Sequence, residues 1–168
     1  MIKEKNKAIH FIGIGGIGMS GIAEFLHYQG FKISGSDLNE SDRTNYLSNL
    51  DISINIGHNL SNIKNPDIVV YSSAVRMDNI EIIESKKKNI PVIRRAEMLG
   101  ELLKLKQTSI AISGTHGKTT SCSMLSSILI EADLKPTVII GGIVNNFGSN
   151  TLSGIGDIIV VEADEYDR

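Results

Sequence analysis

The sequence predicts an α/β protein: a parallel, doubly wound sheet, followed by the first part of a second α/β unit organised around a phosphate loop. Three observations carry this. Short apolar runs alternate with amphipathic stretches, the pattern of parallel strands joined by helices. A glycine loop, Gly13-Ile14-Gly15-Gly16-Ile17-Gly18, follows the first apolar run directly. A second loop, Gly114-Thr115-His116-Gly117-Lys118-Thr119-Thr120, follows the run Ile110-Ala111-Ile112.

Taken in order, Ala8-Ile9-His10-Phe11-Ile12 reads as a buried strand. Gly13, Gly15 and Gly18 fit G-x-G-x-x-G, and a helix runs from Ile17 to about Gln29, with Met19, Ile22, Ala23 and Leu26 at helical spacing. Gly30 suits its left-handed cap. Phe31 to Ser36 forms a second strand ending at Asp37, an acid about twenty residues beyond the loop, where a dinucleotide site grips a ribose hydroxyl. Strand, loop, helix, strand and acid together indicate a site for a diphosphate nucleotide, without specifying NAD.

Ser41 caps a helix through about Leu50. A strand at Ile52 to Ile56 and a turn at Gly57-His58-Asn59 follow. Pro66-Asp67 introduces the strand Ile68-Val69-Val70-Tyr71, which ends at Ser72-Ser73-Ala74. Asn79 to Lys88 reads as a helix with Ile80 and Ile83 inward and the lysines 86–88 outward, favourable at the negative end of a helix dipole. Pro91-Val92-Ile93 is another strand and Ala96 to Leu105 another helix. In such a sheet ligands bind at the carboxyl ends of the strands. Gly18, Asp37, Gly57-His58 and Ser72-Ser73 all fall there and are expected to line one crevice.

The polar stretch Lys104 to Thr108 precedes a fresh strand, which divides the chain into units at 1–105 and 106–168. The second loop departs from the general pattern G-x-x-x-x-G-K-[ST]: Ile112 stands where that pattern wants its first glycine, which here comes at Gly114. Its chemistry is nonetheless that of an ATP loop. Glycines let backbone N–H groups close around phosphate oxygens, and the following helix start adds positive potential. Lys118 can reach β- and γ-phosphates, and Thr119 can set its hydroxyl on Mg²⁺. His116 is read as shaping the loop rather than as a base. The helix from Lys118 to about Ala132 places Cys122, Leu125, Leu129 and Ala132 on one face, so Cys122 is a core residue. Pro136 to Ile140 is a strand, and Ile158 to Val161 runs into Glu162-Ala163-Asp164-Glu165. An acid at the end of a strand downstream of a phosphate loop is where a magnesium-holding carboxylate belongs. Glu162, the first off the strand, is the favoured one.

Composition narrows the class. The chain has 168 residues and a net charge of −2, which gives no electrostatic footprint for nucleic acid or an anionic membrane. Its single cysteine allows no internal disulfide and is compatible with a reducing cytoplasm. The basic start before an apolar segment has the outline of a signal peptide, but that segment is glycine-dominated and explained by strand, loop and helix. No run is long enough to span a bilayer.

These motifs together resemble the Mur ligase family of peptidoglycan synthesis. The resemblance rests on Gly13 to Gly21, on Ser34-Gly35-Ser36-Asp37, on Tyr71-Ser72-Ser73-Ala74-Val75, on Gly114 to Thr120, on Gly141-Gly142, and on Val161 to Asp167. It covers essentially the whole chain. Gly13 to Ser20 with Glu162 to Glu165 narrow the likeness to two members acting on one sugar nucleotide, one adding an amino acid and the other a recycled peptide.

The resemblance implies that the first unit is a Rossmann-like domain holding a UDP-sugar rather than a redox cofactor. Gly15, Gly16 and Gly18 would meet the diphosphate, with Met19 and Ser20 adjoining it. Asp37 would approach the uridine end, and His58, Ser72 and Ser73 would border the crevice, where turn and cap chemistry explains those three side chains equally well. Gly114, Thr115, His116, Gly117, Lys118, Thr119 and Thr120 would bind ATP, Lys118 as the catalytic cation, with Mg²⁺ on Thr119 and Glu162. One of Asn145, Asn146 and Asn150, after a turn at Gly141-Gly142, would contact phosphate. The implied reaction is cytoplasmic, ATP-dependent joining of L-alanine to UDP-N-acetylmuramate through an acyl phosphate. The family's ligases have three domains, and Arg168 falls inside the central one. The expectation is therefore an N-terminal piece, inactive alone, whose second sheet is poorly stable because its apolar faces lack partners. A peptide ligase of the same family, a nicotinamide-dependent oxidoreductase and a non-catalytic UDP-sugar-binding module remain as alternatives. The oxidoreductase would leave Lys118, Thr119 and Glu162 without a task.

Overall fold

The structure is a computed structural model that describes residues 6–144 and 149–163. Five strands, β1 (Ala8–Ile12), β2 (Lys32–Asp37), β3 (Ser53–Ile56), β4 (Ile68–Tyr71) and β5 (Val92–Arg94), form a wholly parallel sheet in the order β3-β2-β1-β4-β5. Helices α1 (Ile17–Tyr28), α2 (Asp42–Ser48), α3 (Ile80–Lys87) and α4 (Arg95–Leu103) connect or follow these strands. A short 3₁₀ turn, η1 (Leu60–Asn62), which the sequence reading lacks, follows β3. The strand order reverses between β1 and β4, and such a switch point opens a crevice at the strand carboxyl ends.

The second sheet contains β6 (Thr108–Ile112), β7 (Thr137–Val144), β8 (Ser149–Leu152) and β9 (Ile158–Glu162) in the order β6-β9-β7-β8. It is mixed: β6, β9 and β7 are parallel, and β8 is antiparallel to β7. Neither β8 nor the extension of β7 past Ile140 is expected from the sequence. Gly141-Gly142, read there as a turn, lies within β7, where its pairing with β8 shifts register. All strands of the first sheet precede residue 106 and all strands of the second follow it. Lys106 ties the junction down by donating to the carbonyls of Gly154 (3.1 Å) and Gly156 (2.7 Å).

α1 joins the layers. Its residues Met19 to Leu26 are all buried, as in a helix enclosed on every side. One continuous core runs from Ile9 and Phe11 of β1, through Ile22, Phe25 and Leu26 of α1, to Ile139 of β7 and to Ile159 and Val161 of β9. Each fully buried side chain of this size contributes roughly 1.5–3 kcal/mol. Strand alternation sends Val138, Ile140 and Val160 to the opposite face, against Cys122 of α5 (Lys118–Glu131). The expectation that the second sheet's apolar faces lack partners is corrected for β7 and β9, whose two faces pack on α1 and α5, whereas the edge strand β6 has no fully buried residue. Apolar exposure falls instead on the outside of α5, where Met124 and Ile128 are each 64% exposed. Ala132, expected on the inner face of that helix, is exposed.

α3 also departs from its expected phase. Ile80 and Ile83 are exposed, whereas Glu81, Ile82 and Ser85 are buried. The apolar pattern is overruled because Glu81 finds a full set of hydrogen-bond donors inside. The lysines 86–88 are exposed as expected, and Lys88 also donates to the carbonyl of Ile63 (2.9 Å).

Candidate functional site

The first glycine loop is shaped by β2. The N–H groups of Gly13 and Ile14 both donate to the Ser36 carbonyl, at 2.8 and 3.1 Å. Gly13 has φ +80°, which favours glycine. Gly15 N donates to Asp37 Oδ2 at 2.8 Å, and a Cβ on Gly15 would stand 2.9 Å from that oxygen. Asp37 thus holds the loop itself; its backbone carbonyl also takes the N–H of Gly57 at 2.7 Å. α1 then begins at Ile17, with Gly16 as its cap and no acid in its first turn.

A cavity of about 260 Å³ lies over this loop, lined by Gly13, Gly16, Asp37, Leu38, His58, Ser72, Ala74 and Val75. The structure therefore brings Gly16, Asp37, His58 and Ser72 together from four strand ends, with Gly15 beside them through Asp37. Ser72 N donates to the Ile12 carbonyl at 3.1 Å, across the switch point between β1 and β4. Ser73 is exposed beside it. Met19 and Ser20 are buried in α1, at 1% and 2% exposure, and Ser20 Oγ donates to the Ile17 carbonyl. Their side chains support the helix start rather than line the cavity. Gly18 faces α4, where a Cβ would meet Arg95 Nη1 at 3.1 Å. Arg95, which the sequence reading passed over, brings a cation to the start of α1. Its one sequence signal is its position just beyond β5, level with the other strand ends.

Below the crevice lies a buried polar cluster that the sequence reading also missed. Glu81 Oε2 accepts from Ser36 Oγ (2.6 Å) and meets His10 Nε2 (3.3 Å). Glu81 Oε1 accepts from Asn62 Nδ2 (2.6 Å) and Asn59 N (3.0 Å). Burial alone would raise this carboxyl. The hydrogen bonds from His10, Ser36, Asn62 and Asn59 together outweigh burial and hold it at about 2, so it is a carboxylate.

The second loop caps α5. Gly117 is its N-cap in the left-handed region at φ +77°, and Gly114 has φ +151°. Thr115, His116, Gly117 and Thr120 are exposed, and Lys118 Nζ donates to the Gly114 carbonyl at 2.5 Å. Thr119 Oγ1 lies 3.1 Å from both Glu162 oxygens, and Gly141 N donates to Glu162 Oε2 at 2.9 Å. Glu162 ends β9 next to β6, whose Ile112 pairs with it and leads into the loop. Burial, and then the charge of Glu162, pushes the Cys122 thiol up to about 11, consistent with an inert core residue. Asn145, Asn146, Asp164, Glu165, Tyr166 and Asp167 lie outside the described residues, and Asn150 falls in β8.

Fold and loops define a class: an α/β protein with two strand-glycine loop-helix motifs, one on each of two sheets that share α1. The chain belongs to the Mur ligase family, since the model of "Mur ligase family, catalytic domain" matches residues 8–107. It is 55% identical to a UDP-N-acetylmuramate–L-alanine ligase of Aquifex aeolicus over 99% of its length, covering 37% of that protein. It is 52% identical to the ligase of that name from Syntrophus aciditrophicus over 99% of its length, covering 35% of it. Among solved structures it resembles the UDP-N-acetylmuramate-alanine ligase of Thermotoga maritima (TM-score 0.86, 36% identity, 94% of this chain and 37% of that one). It equally resembles the UDP-N-acetylmuramate:L-alanyl-gamma-D-glutamyl-meso-diaminopimelate ligase of Neisseria meningitides (TM-score 0.87, 30% identity, 96% and 54%). The chain thus spans little more than a third of the length of the curated relatives it matches.

Proposed function

We propose that the chain is the nucleotide-handling part of an ATP-dependent ligase that joins L-alanine to UDP-N-acetylmuramate in the cytoplasm. The observation that carries this reading is the pairing of Thr119 with Glu162 beside Lys118, in a molecule that has a separate cavity over the first glycine loop. Two phosphate-bearing ligands then have one site each, on units 1–105 and 106–168. The first takes the UDP-sugar, with its diphosphate at Gly15, Gly16, Gly18 and the start of α1. Asp37 holds the loop in shape through Gly15 N, and His58, Ser72 and Ser73 border the ligand. Met19 and Ser20 act through the helix they stabilise.

ATP belongs on Gly114 to Thr120. Backbone N–H groups of the loop and of α5 surround the phosphates, and Lys118 turns from the Gly114 carbonyl to the γ-phosphate. The Thr119 hydroxyl and the Glu162 carboxylate form an all-oxygen donor set, the kind that suits Mg²⁺. Among the described residues no group of three or more His, Cys, Asp or Glu side chains is placed to hold a metal alone. Mg²⁺ at these two residues neutralises phosphate charge when bound.

The lactyl carboxylate of the sugar nucleotide attacks the γ-phosphorus, ADP leaves, and an acyl phosphate forms. The amine of L-alanine then displaces phosphate. Lys118 stabilises charge on the transferring group, and the rest of catalysis is positioning. The relatives' greater length supports placing the amino-acid site outside these residues. A peptide acceptor remains the second reading, favoured by the likeness to the Neisseria protein. The test is MgATP binding measured with and without UDP-N-acetylmuramate: independent saturation of two sites supports the reading, and mutual competition for one site refutes it.

A further inference from the structure

We propose that Glu81 is a positioning residue that, acting through Ser36, holds His58 as its Nδ1–H tautomer and so makes Nε2 a hydrogen-bond acceptor at the crevice. This inference rests on the sugar-nucleotide reading of that crevice. It assigns the ligand group facing His58 as a donor, a nucleoside hydroxyl or imide N–H, rather than a phosphate oxygen.

The number of protons available in this cluster fixes the tautomer. An ionised carboxylate only accepts. Ser36 Oγ, 2.6 Å from Glu81 Oε2, must therefore spend its single proton on Glu81. The same Oγ lies 3.1 Å from His58 Nδ1 and has only a lone pair left for it. Nδ1 must then carry the proton. Glu81 Oε1, 3.6 Å from the same nitrogen, favours this arrangement electrostatically. In a neutral ring the other nitrogen, Nε2, is then unprotonated. Nδ1 is turned into the buried cluster while the residue lines the cavity, so the Nε2 edge is the one available to a ligand.

Glu81 also fixes where the ring stands. Asn59 N and Asn62 Nδ2 both donate to its Oε1, and Asn62 Nδ2 donates as well to the Gly57 carbonyl at 3.1 Å. The turn carrying His58 is thus clamped from α3 on both sides of the histidine. His10 occupies the remaining position on Oε2, and its Nδ1 meets Ser34 Oγ at 3.0 Å. With these partners the acceptor capacity of the carboxylate is filled.

Glu81→Gln makes a specific prediction. The backbone N–H of Asn59 cannot reverse, so the carboxamide oxygen must take the Oε1 position and its NH₂ the Oε2 position. That NH₂ donates to Ser36 Oγ, whose own proton turns to His58 Nδ1. The ring must then become Nε2–H, and the crevice meets a donor in place of an acceptor. The decisive measurement is ring ¹⁵N spectroscopy of histidine-labelled chain at about pH 8, above the usual histidine range, with His58→Gln assigning the signals. The expected result is a protonated Nδ1 in the wild type and an exchange of the two nitrogen signatures in Glu81→Gln. A protonated Nε2 in the wild type overturns the proposal, as does an unchanged spectrum in a folded Glu81→Gln. If that variant does not fold, the wild-type spectrum still decides. A companion titration with UDP should show affinity lowered roughly five- to tenfold in Glu81→Gln, the effect of one lost hydrogen bond. Failure of UDP to bind the wild type counts against the sugar-nucleotide reading, while the spectrum judges the tautomer by itself.

Discussion

Thr119 and Glu162 meet at 3.1 Å although 43 residues separate them, and the contact joins the start of α5 to the end of β9. In the proposed function this hydroxyl and carboxylate, beside a loop lysine, act as one unit. Removing either member should therefore cost magnesium-dependent ATP binding. Thr119→Ala and Glu162→Gln are each expected to weaken it roughly 10- to 100-fold, the range for losing an interaction with a charged group. Thr119→Ser keeps the hydroxyl and should stay near wild type. Titration with MgATP checks this, and equal losses in the presence of EDTA would argue against a metal role.

Gly15 touches Asp37 so closely that any side chain there must displace it. Gly15→Ala is expected to open the loop, to destabilise the fold by about 1–3 kcal/mol, and to abolish sugar-nucleotide binding. Thermal unfolding and calorimetry measure the two effects separately. Asp37→Asn, which keeps the shape, should cost less stability than Gly15→Ala.

Two further glycines should respond with opposite signs. A Cβ on Gly35 in β2 would meet Ile14 Cδ1 at 2.5 Å and the Phe11 carbonyl oxygen at 2.9 Å, so Gly35→Ala should destabilise by at least 1–3 kcal/mol, on the order of other overpacked cores. A Cβ on Gly100 in α4 would meet nothing within 4 Å, so Gly100→Ala should stabilise by roughly 0.5–1 kcal/mol. Denaturant midpoints at constant slope read both.

Glu81 gives the fold a defined acid limit. Its folded-state value of about 2 lies below the ordinary 4.5, so its contribution is fully present above about pH 4.5 and disappears as the pH falls through 2. The shift corresponds to roughly 3 kcal/mol. Glu24 acts in the opposite sense. Burial raises its carboxyl, and the bond from Tyr46 (2.9 Å) and the nearby Arg43 charge only partly offset this, so its contribution declines as rising pH ionises it. Unfolding free energy measured from pH 6 to pH 2 should fall less steeply in Glu81→Gln than in wild type.

The sequence made the strand-loop-helix framework legible because its signals are local. A glycine loop between an apolar run and a helix is read within about ten residues, and Gly13 to Gly18 and Gly114 to Thr120 both sit where such motifs belong. Asp37, His58 and Ser72 were found by counting strand ends in a parallel sheet. What escaped depends on distant pairing. The inward turn of Glu81 requires His10, Ser36, Asn59 and Asn62 to be in place, and periodicity alone puts Ile80 and Ile83 inside. The all-round burial of α1 depends on a second sheet whose edge strand β8 is four residues long and carries little apolar pattern. Arg95 reaches Gly18 from the start of α4, 77 residues further along the chain, which no local pattern shows.

The most direct test of the sugar-nucleotide assignment is calorimetric titration of the chain with UDP-N-acetylmuramate, with NADH as the competing ligand. Saturable binding of the sugar nucleotide, lost in Gly15→Ala and not displaced by NADH, is the predicted result. Saturable binding of NADH alone would contradict it and make the first glycine loop a redox-cofactor site.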